Sequence, residues 1–330
     1  MKESINKTFN HFKVHTQYSI CEGAIKIDQL KDFCKKNKIK SLGLSDTYNL
    51  SGSLEFSENL SSAGTQPIIG TQILFKYKNF TGFIPLIAKN KDGYKNIIEL
   101  SSKSYLENSE ITDPHCNFED LLNKSSGIIV LTGSIRCLIG SLFNKGLFNE
   151  INDIIDKLSK TFKNDFYVEI QRHNDLNEKE FENYNLNISK KFDLPIIATN
   201  EVYYLDQNMF EAHDALMCIG QKTYVNDVNR IRLSNQHYFK SSDDMIELFK
   251  DLPEALENNF SLPYRCTFRP LPSKPILPNI SSSDIDANDL LKKDSYEGLK
   301  DKFNKIFKIE KLDLDKNENY QHYKQRLDHE

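Results

Sequence analysis

The 330-residue sequence has no tryptophan, no CxxC pair, no long apolar run and no excess of basic side chains, and each absence excludes something. The missing tryptophan, beside abundant Lys, Asn and Ile, reflects an AT-rich coding sequence and bears little on function. The six cysteines, at 21, 34, 116, 137, 218 and 266, form neither a disulfide framework nor a zinc-type spacing, so they read as reduced, mostly buried thiols. No apolar stretch reaches the about 18 residues that suggest a bilayer span. The start MKESINKTFN lacks the apolar segment of a secretory signal. A soluble, cytoplasmic protein with no membrane partner is expected. The formal net charge of -4 gives no electrostatic reason for this segment to grip nucleic acid by itself, since phosphate binding needs clustered Lys and Arg. GxGxxG, the GxxxxGK phosphate loop and GxSxG are also absent, which removes nucleotide-cradle and nucleophile-elbow readings.

What is present is an alternation of short apolar runs with amphipathic stretches. Strands are expected at 10–16, 41–46, 67–75, 81–89, 127–133, 166–171 and 195–205, most of them separated by helical patterns such as IKIDQLKDFCKKNK and INDIIDKLSKTF. Seven apolar strands alternating with helices predict a parallel α/β barrel or sheet. In such folds the chemistry sits where strands end. His15, Asp46, His173, Asn200 and Glu201 fall at such places. After 265 a proline- and serine-rich stretch reads as a domain edge or linker. The remainder reads as one or two charged helices, and a helical pattern that reaches the final residue suggests a truncated product.

HFKVH, residues 11–15, resembles a metal-binding strand end with one ligand replaced. A strand reading HxHxH points its imidazoles to one face, where they can share a divalent cation. The middle position here is Lys13, whose ammonium has three donors and no lone pair, so it would repel a metal held at His15.

In order along the chain, HFKVHTQYSICEGAIKI (11–27), LGLSDTYNLSGSLEF (42–56), PIIGTQI (67–73), AKNKDGYKNIIELSSKSY (88–105), FYVEIQRH (166–173), PIIATNEVYYL (195–205), EAHDALMCI (211–219), NRIRL (229–233) and YFKSSDDMIELF (238–249), then PILPN and YEGLK, form a pattern. This pattern resembles the N-terminal PHP (polymerase and histidinol phosphatase) region of bacterial DNA polymerase III alpha subunits. The resemblance implies an α/β fold, with a distorted (βα)7 barrel over 1–270. A linker and the incomplete start of the polymerase palm region would follow over 271–330.

Metal-dependent members of that family hold three zinc-like cations. Carried over position by position, the resemblance gives His11, His15, Glu22, Asp46, His173 and Glu201 as retained, vestigial metal positions. It gives Lys13, Thr47, Gln72, Phe83, Ser134 and Tyr203 as positions where a usual residue of the site is substituted. A site that loses this many ligands cannot neutralise three cations or fix their geometry. No catalytic residue and no strongly bound cofactor are therefore expected, although a single residual Zn²⁺ or Mn²⁺ stays open. His11 and His15 are expected to be hydrogen-bonded at the barrel mouth, with Lys13 paired to Asp46, Glu22 or Glu201.

The implied role is a scaffold that buttresses the polymerase body of the same chain and docks the proofreading exonuclease subunit, among other replisome subunits. DNA and Mg²⁺ would be handled by the parent enzyme's palm. The alternative is an active PHP metallohydrolase with 3′–5′ exonuclease or phosphoesterase activity. His213 beside Asp214 reads as a helix packing position, and His115 and His237 as surface or core histidines without partners at ligand spacing. Asp284 and Asp286 read as solvated linker, since a metal-holding carboxylate pair must be rigidly held.

Overall fold

The computed structural model describes residues 7–107, 113–275, 286–307 and 316–330. Residues 276–285 of the proline- and serine-rich stretch, Asp284 among them, lie outside the described residues. The chain divides into two compact units, 1–272 and 273–330.

Among the described residues the first unit contains eleven strands: β1 (His11–Val14), β2 (Ser41–Leu44), β3 (Asp46–Thr47), β4 (Gln66–Ile68), β5 (Gly70–Tyr77), β6 (Phe80–Ala88), β7 (His115–Asn117), β8 (Ile128–Leu131), β9 (Phe166–Ile170), β10 (Ile196–Ala198) and β11 (Glu201–Val202). They group in a four-stranded sheet ordered β11-β1-β2-β4 and a seven-stranded one that runs β10-β9-β8-β6-β5-β3 with β7 beside β5. Neither sheet closes on itself. Three of the expected strands are broken by a residue or two, and the pairing carries on through each break from one sheet into the other. β2 pairs with β4 and its continuation β3 with β5, while β10 pairs with β9 and its continuation β11 with β1. Followed through the breaks, seven strand positions return to their start, which is a distorted barrel. The expected seven strands are therefore present, with two differences. β6 runs antiparallel to both β5 and β8, because a hairpin at Lys78 and Asn79 joins β5 to β6 in place of a helix. β7 is an additional short strand on the edge of β5.

Strand parity sorts side chains between two cores. On β9, Phe166, Val168 and Ile170 join the cluster between strands and helices, whereas Tyr167 turns the other way, and Glu169 shares its parity. Phe12, Ile68, Ile87, Ile129, Leu131, Tyr167 and Ile197 form a separate apolar layer inside the barrel, joined by Leu262 and Cys266. The outer helices present apolar stripes at helical spacing. In Phe148–Phe162, for example, Ile151, Ile154, Ile155, Leu158 and Phe162 are buried.

The register of β1 against β2 shifts between His11 and Val14, a bulge that aims Phe12 into the inner apolar layer next to Lys13. Gly43 permits it. A Cβ at Gly43 would lie 2.5 Å from the Phe12 Cα and carbonyl oxygen.

The second unit pairs the helices Ala287–Phe307 and Glu318–His329, with Phe303 and Tyr320 buried and Leu299 packed beside them. Asp286 is exposed just before the first of these helices.

Candidate functional site at the barrel mouth

Above the apolar layer the barrel interior becomes polar. Lys13 and Glu201 are register partners on the adjacent strands β1 and β11, so their side chains share a face. Lys13 is 1% exposed, and its Nζ lies 3.1 Å from Glu201 Oε1 and 3.4 Å from Glu169 Oε1. These are charge contacts outside good hydrogen-bond geometry. Of the three expected partners of Lys13, Glu201 is the one that meets it. Asp46 and Glu22 are engaged elsewhere, and Glu169, which the sequence reading did not single out, supplies the second carboxylate. Burial alone would drive the ammonium to give up its proton; the two carboxylates outweigh that and hold its pKa above the ordinary lysine value. Burial likewise opposes the Glu201 charge, yet Lys13 and His15 keep its pKa well below the usual carboxylate range.

Around this ion triad the polar atoms are largely committed to one another. His15 places Nδ1 3.2 Å from Ser19 Oγ and Nε2 3.2 Å from Glu201 Oε1. Gln72 donates from Nε2 to Glu201, and the same nitrogen lies 3.1 Å from His15 Nε2. Glu169 accepts from Thr199 and Gln171. Asp46 accepts from Thr16 N–H at 2.6 Å, Thr16 Oγ1 at 2.7 Å and Ser19 Oγ at 2.8 Å, so it caps the turn that follows β1. Burial raises its pKa against these bonds. Glu22 accepts from Thr47 Oγ1 at 2.6 Å.

The remaining histidines are also tied down. His173 directs Nδ1 toward Glu178 Oε1 at 3.3 Å, and its Nε2 accepts from the Glu201 amide at 3.1 Å. It stacks on His237 with ring centroids 4.1 Å apart. His237, expected to lack partners at ligand spacing, is wholly buried, with Nδ1 3.1 Å from the Glu201 carbonyl and Nε2 3.3 Å from Asp175. Burial brings its pKa down to about 3. His11 sits apart from the triad, between Phe9 and Phe239, with Nε2 3.0 Å from the Lys240 carbonyl. Burial lowers its pKa to about 3 as well. His213 packs in its helix and bonds to the Glu22 carbonyl, while His115 is half-buried on β7.

A cleft of about 190 Å³ opens at this mouth. Thr47, Gln72, Phe83, Ser134 and Tyr203 all line it, together with Glu22 and Glu201. Five of the six substituted positions thus share one wall, although they come from five separate segments of the chain. Lys13 lies beneath them. Arg136, Cys137, Met217, Ile231 and Leu233 complete the lining, and sequence reading had marked none of these. Arg136 approaches His237 at 3.4 Å and Asp175 at 3.6 Å. No spacing signal could have found it, because its partners lie far off in sequence.

Two chemical possibilities can be weighed on this geometry. Ser19, His15 and Glu201 follow one another at the distances of a hydroxyl–imidazole–carboxylate triad. Ser19 is fully buried and donates to Asp46, so no substrate can reach its oxygen. For metal binding, among the described residues no group of three or more His, Cys, Asp or Glu side chains is placed to hold one ion.

Residues 11–173, which take in β1 to β9, match the family model of the PHP domain, so the chain carries a PHP domain. Along nearly all its length the chain is similar to DNA polymerase III subunit alpha. It is 34% identical to that of Caulobacter vibrioides over 341 residues, covering 100% of this chain and 29% of the relative. It is 35% identical to that of Rickettsia felis, covering 98% of this chain and 27% of the relative, and 31% identical to that of Haemophilus influenzae, covering 94% and 27%. The chain therefore spans less than a third of the length of these curated relatives. Among the described residues no helix is long and apolar enough to cross a membrane.

Proposed function

We propose that this PHP domain is a structural scaffold within a replicative polymerase chain of the DNA polymerase III alpha type, and that it does not work as a metal-dependent hydrolase. The observation that carries this reading is Lys13. Its buried ammonium lies between Glu169 and Glu201, so the barrel mouth already contains its own cation. Three divalent ions beside that charge would need anionic and imidazole ligands, yet the cleft offers Thr47, Gln72, Phe83, Ser134 and Tyr203 at the corresponding places. His15 and His173 have both ring nitrogens occupied by protein partners. The donor set does not fit a trinuclear centre, and no hydrolytic step is derived through one.

On this reading residues 271–330 are a linker and the beginning of the polymerase core, and the parent enzyme acts in the cytoplasm on DNA with Mg²⁺ held by its palm. Docking of a proofreading exonuclease subunit on the PHP domain follows from the family resemblance and is part of the same proposal. The test is metal analysis of the purified chain by inductively coupled plasma mass spectrometry, with a phosphodiesterase assay in added Mn²⁺ or Zn²⁺. Substoichiometric metal and no turnover are expected. Two or more tightly bound cations per chain with turnover would establish the hydrolase reading in its place. Co-elution with the exonuclease subunit on gel filtration tests the docking.

A further inference from the structure

The mouth cleft is walled on one side by a segment with no regular structure. From Lys222 to Gln236 the chain contains neither helix nor strand, yet Ile231 and Leu233, with Met217 from the helix Phe210–Gln221, line the cleft together with Thr47, Gln72 and Cys137. This segment buries little of itself. Tyr224 is 81% exposed, Val228 94% and Ile231 57%, with Leu233 its one buried apolar side chain, so apolar contact alone cannot be what keeps it in place.

Polar ties hold it instead. Arg230 sets two guanidinium nitrogens 2.6 Å from the two carboxylate oxygens of Asp214, and both side chains are buried. The same guanidinium donates to the Val225 carbonyl and so braces the far limb of the segment. Gln221, the last residue of its helix, accepts from the Ile231 amide at 2.7 Å and donates to the Ile231 carbonyl at 2.9 Å. Arg232 stands 3.6 Å from Asp214 as an outer, exposed neighbour. A two-pronged Arg–carboxylate pair is geometrically specific, and a buried one is costly to leave with a single partner. Such a contact holds the segment in one position or releases it.

We propose that residues 222–234 are a strap that gates the mouth cleft, latched by the Arg230–Asp214 fork and by the clasp of Gln221 on Ile231. With the latch closed, Ile231 and Leu233 cover Cys137 and Gln72. With it open, the cleft widens to admit small solutes while the barrel beneath stays folded. The strap does not depend on whether the cleft binds metal, so it stands apart from the scaffold reading.

The test uses Cys137, which is buried in the cleft, as a reporter. Alkylation by iodoacetamide is followed peptide by peptide in the full chain, with Cys34, buried outside the cleft, as the control for global opening. Asp214→Ala removes the acceptor for both arginines, and Gln221→Ala removes the clasp alone at a half-exposed position. Cys137 labelling should rise on the order of tenfold in the first and about threefold in the second, with Cys34 unchanged, as for a local opening. Unchanged Cys137 labelling in the folded variants, or a rise shared equally by Cys34, would overturn the proposal. If Asp214→Ala does not fold, Gln221→Ala decides by the same criterion.

Discussion

Lys13 stands where a strand of alternating histidines would present its middle imidazole, and the electrostatics around it decide what its loss does. Lys13→Met keeps the length of the side chain and removes the charge, leaving Glu169 and Glu201 buried beside each other without a counter-ion. Breaking a buried pair in this way costs about 3 kcal/mol or more, which for a unit of this size lowers Tm by roughly 6–12 °C. Thermal melting at pH 7 checks it, and an unchanged Tm would show that the triad carries no stability. The pH dependence follows from the same contact. In the wild type the Glu201 pKa is depressed, so below its ordinary value of 4.5 the unfolded chain binds the proton first and stability falls as pH falls. Without Lys13 the largest of the interactions that depress the Glu201 pKa is gone, so the variant loses less stability than the wild type as pH falls. The gap in Tm between the two proteins should therefore be largest near neutrality and shrink as pH drops toward 4; a constant gap from pH 7 to 4 would contradict the assignment. The sequence narrowed the partners of Lys13 to three acids, and only one of them was right. Register is what selects among them, because Lys13 faces Glu201 across β1 and β11, and register is not written in the spacing of residues along the chain.

At the scale of elements, the seven runs were legible because they are apolar, most of them with β-branched residues, and bounded by turns, but their directions were not. The antiparallel β6 depends on a tight turn at Lys78 and Asn79, which carries no glycine signal, and Lys78 takes a left-handed φ of 52°. The breaks at Ser45, Ile69 and Thr199–Asn200 also left no mark in composition, yet the pairing passes through them from one sheet to the other and so closes the barrel. The bulge in β1 is the most exacting of these irregularities, since it brings Phe12 and Lys13 to adjoining layers of the interior. Gly43→Ala tests it directly, because the new methyl would fall on the Phe12 backbone, which cannot give way as a flexible side chain would. Overpacking of this kind costs about 1–3 kcal/mol. The expected outcome is a lower midpoint in urea with an unchanged slope, and the same midpoint as wild type would mean that the bulge relaxes freely.

For the whole molecule, the question raised by the mouth is whether the fold leans on a metal at all. Domains whose metal is part of their folding energy lose stability when it is chelated, because binding and folding free energies are then the same quantity. This barrel has other means. Its strand–helix core extends continuously from Phe9 to Phe260, a second apolar layer fills the barrel interior, and at the mouth an internal ammonium supplies the positive charge that carboxylates there require. A core of that extent is ample for a domain of this size without a metal. Five of the six positions that the family resemblance gives as substituted line one cleft, but whether the retained acids and histidines remain free to ligate could be judged only once their hydrogen bonds were seen. Dialysis against EDTA or 1,10-phenanthroline should accordingly leave Tm unchanged to within about 1 °C, a shift equivalent to well under 1 kcal/mol for a unit of this size. Readdition of Zn²⁺ or Mn²⁺ should not raise it, since a ligand stabilises only by binding the native state. A fall of several degrees on chelation, reversed by one of these ions, would mean that Lys13 coexists with a bound cation and that the mouth keeps a working metal position.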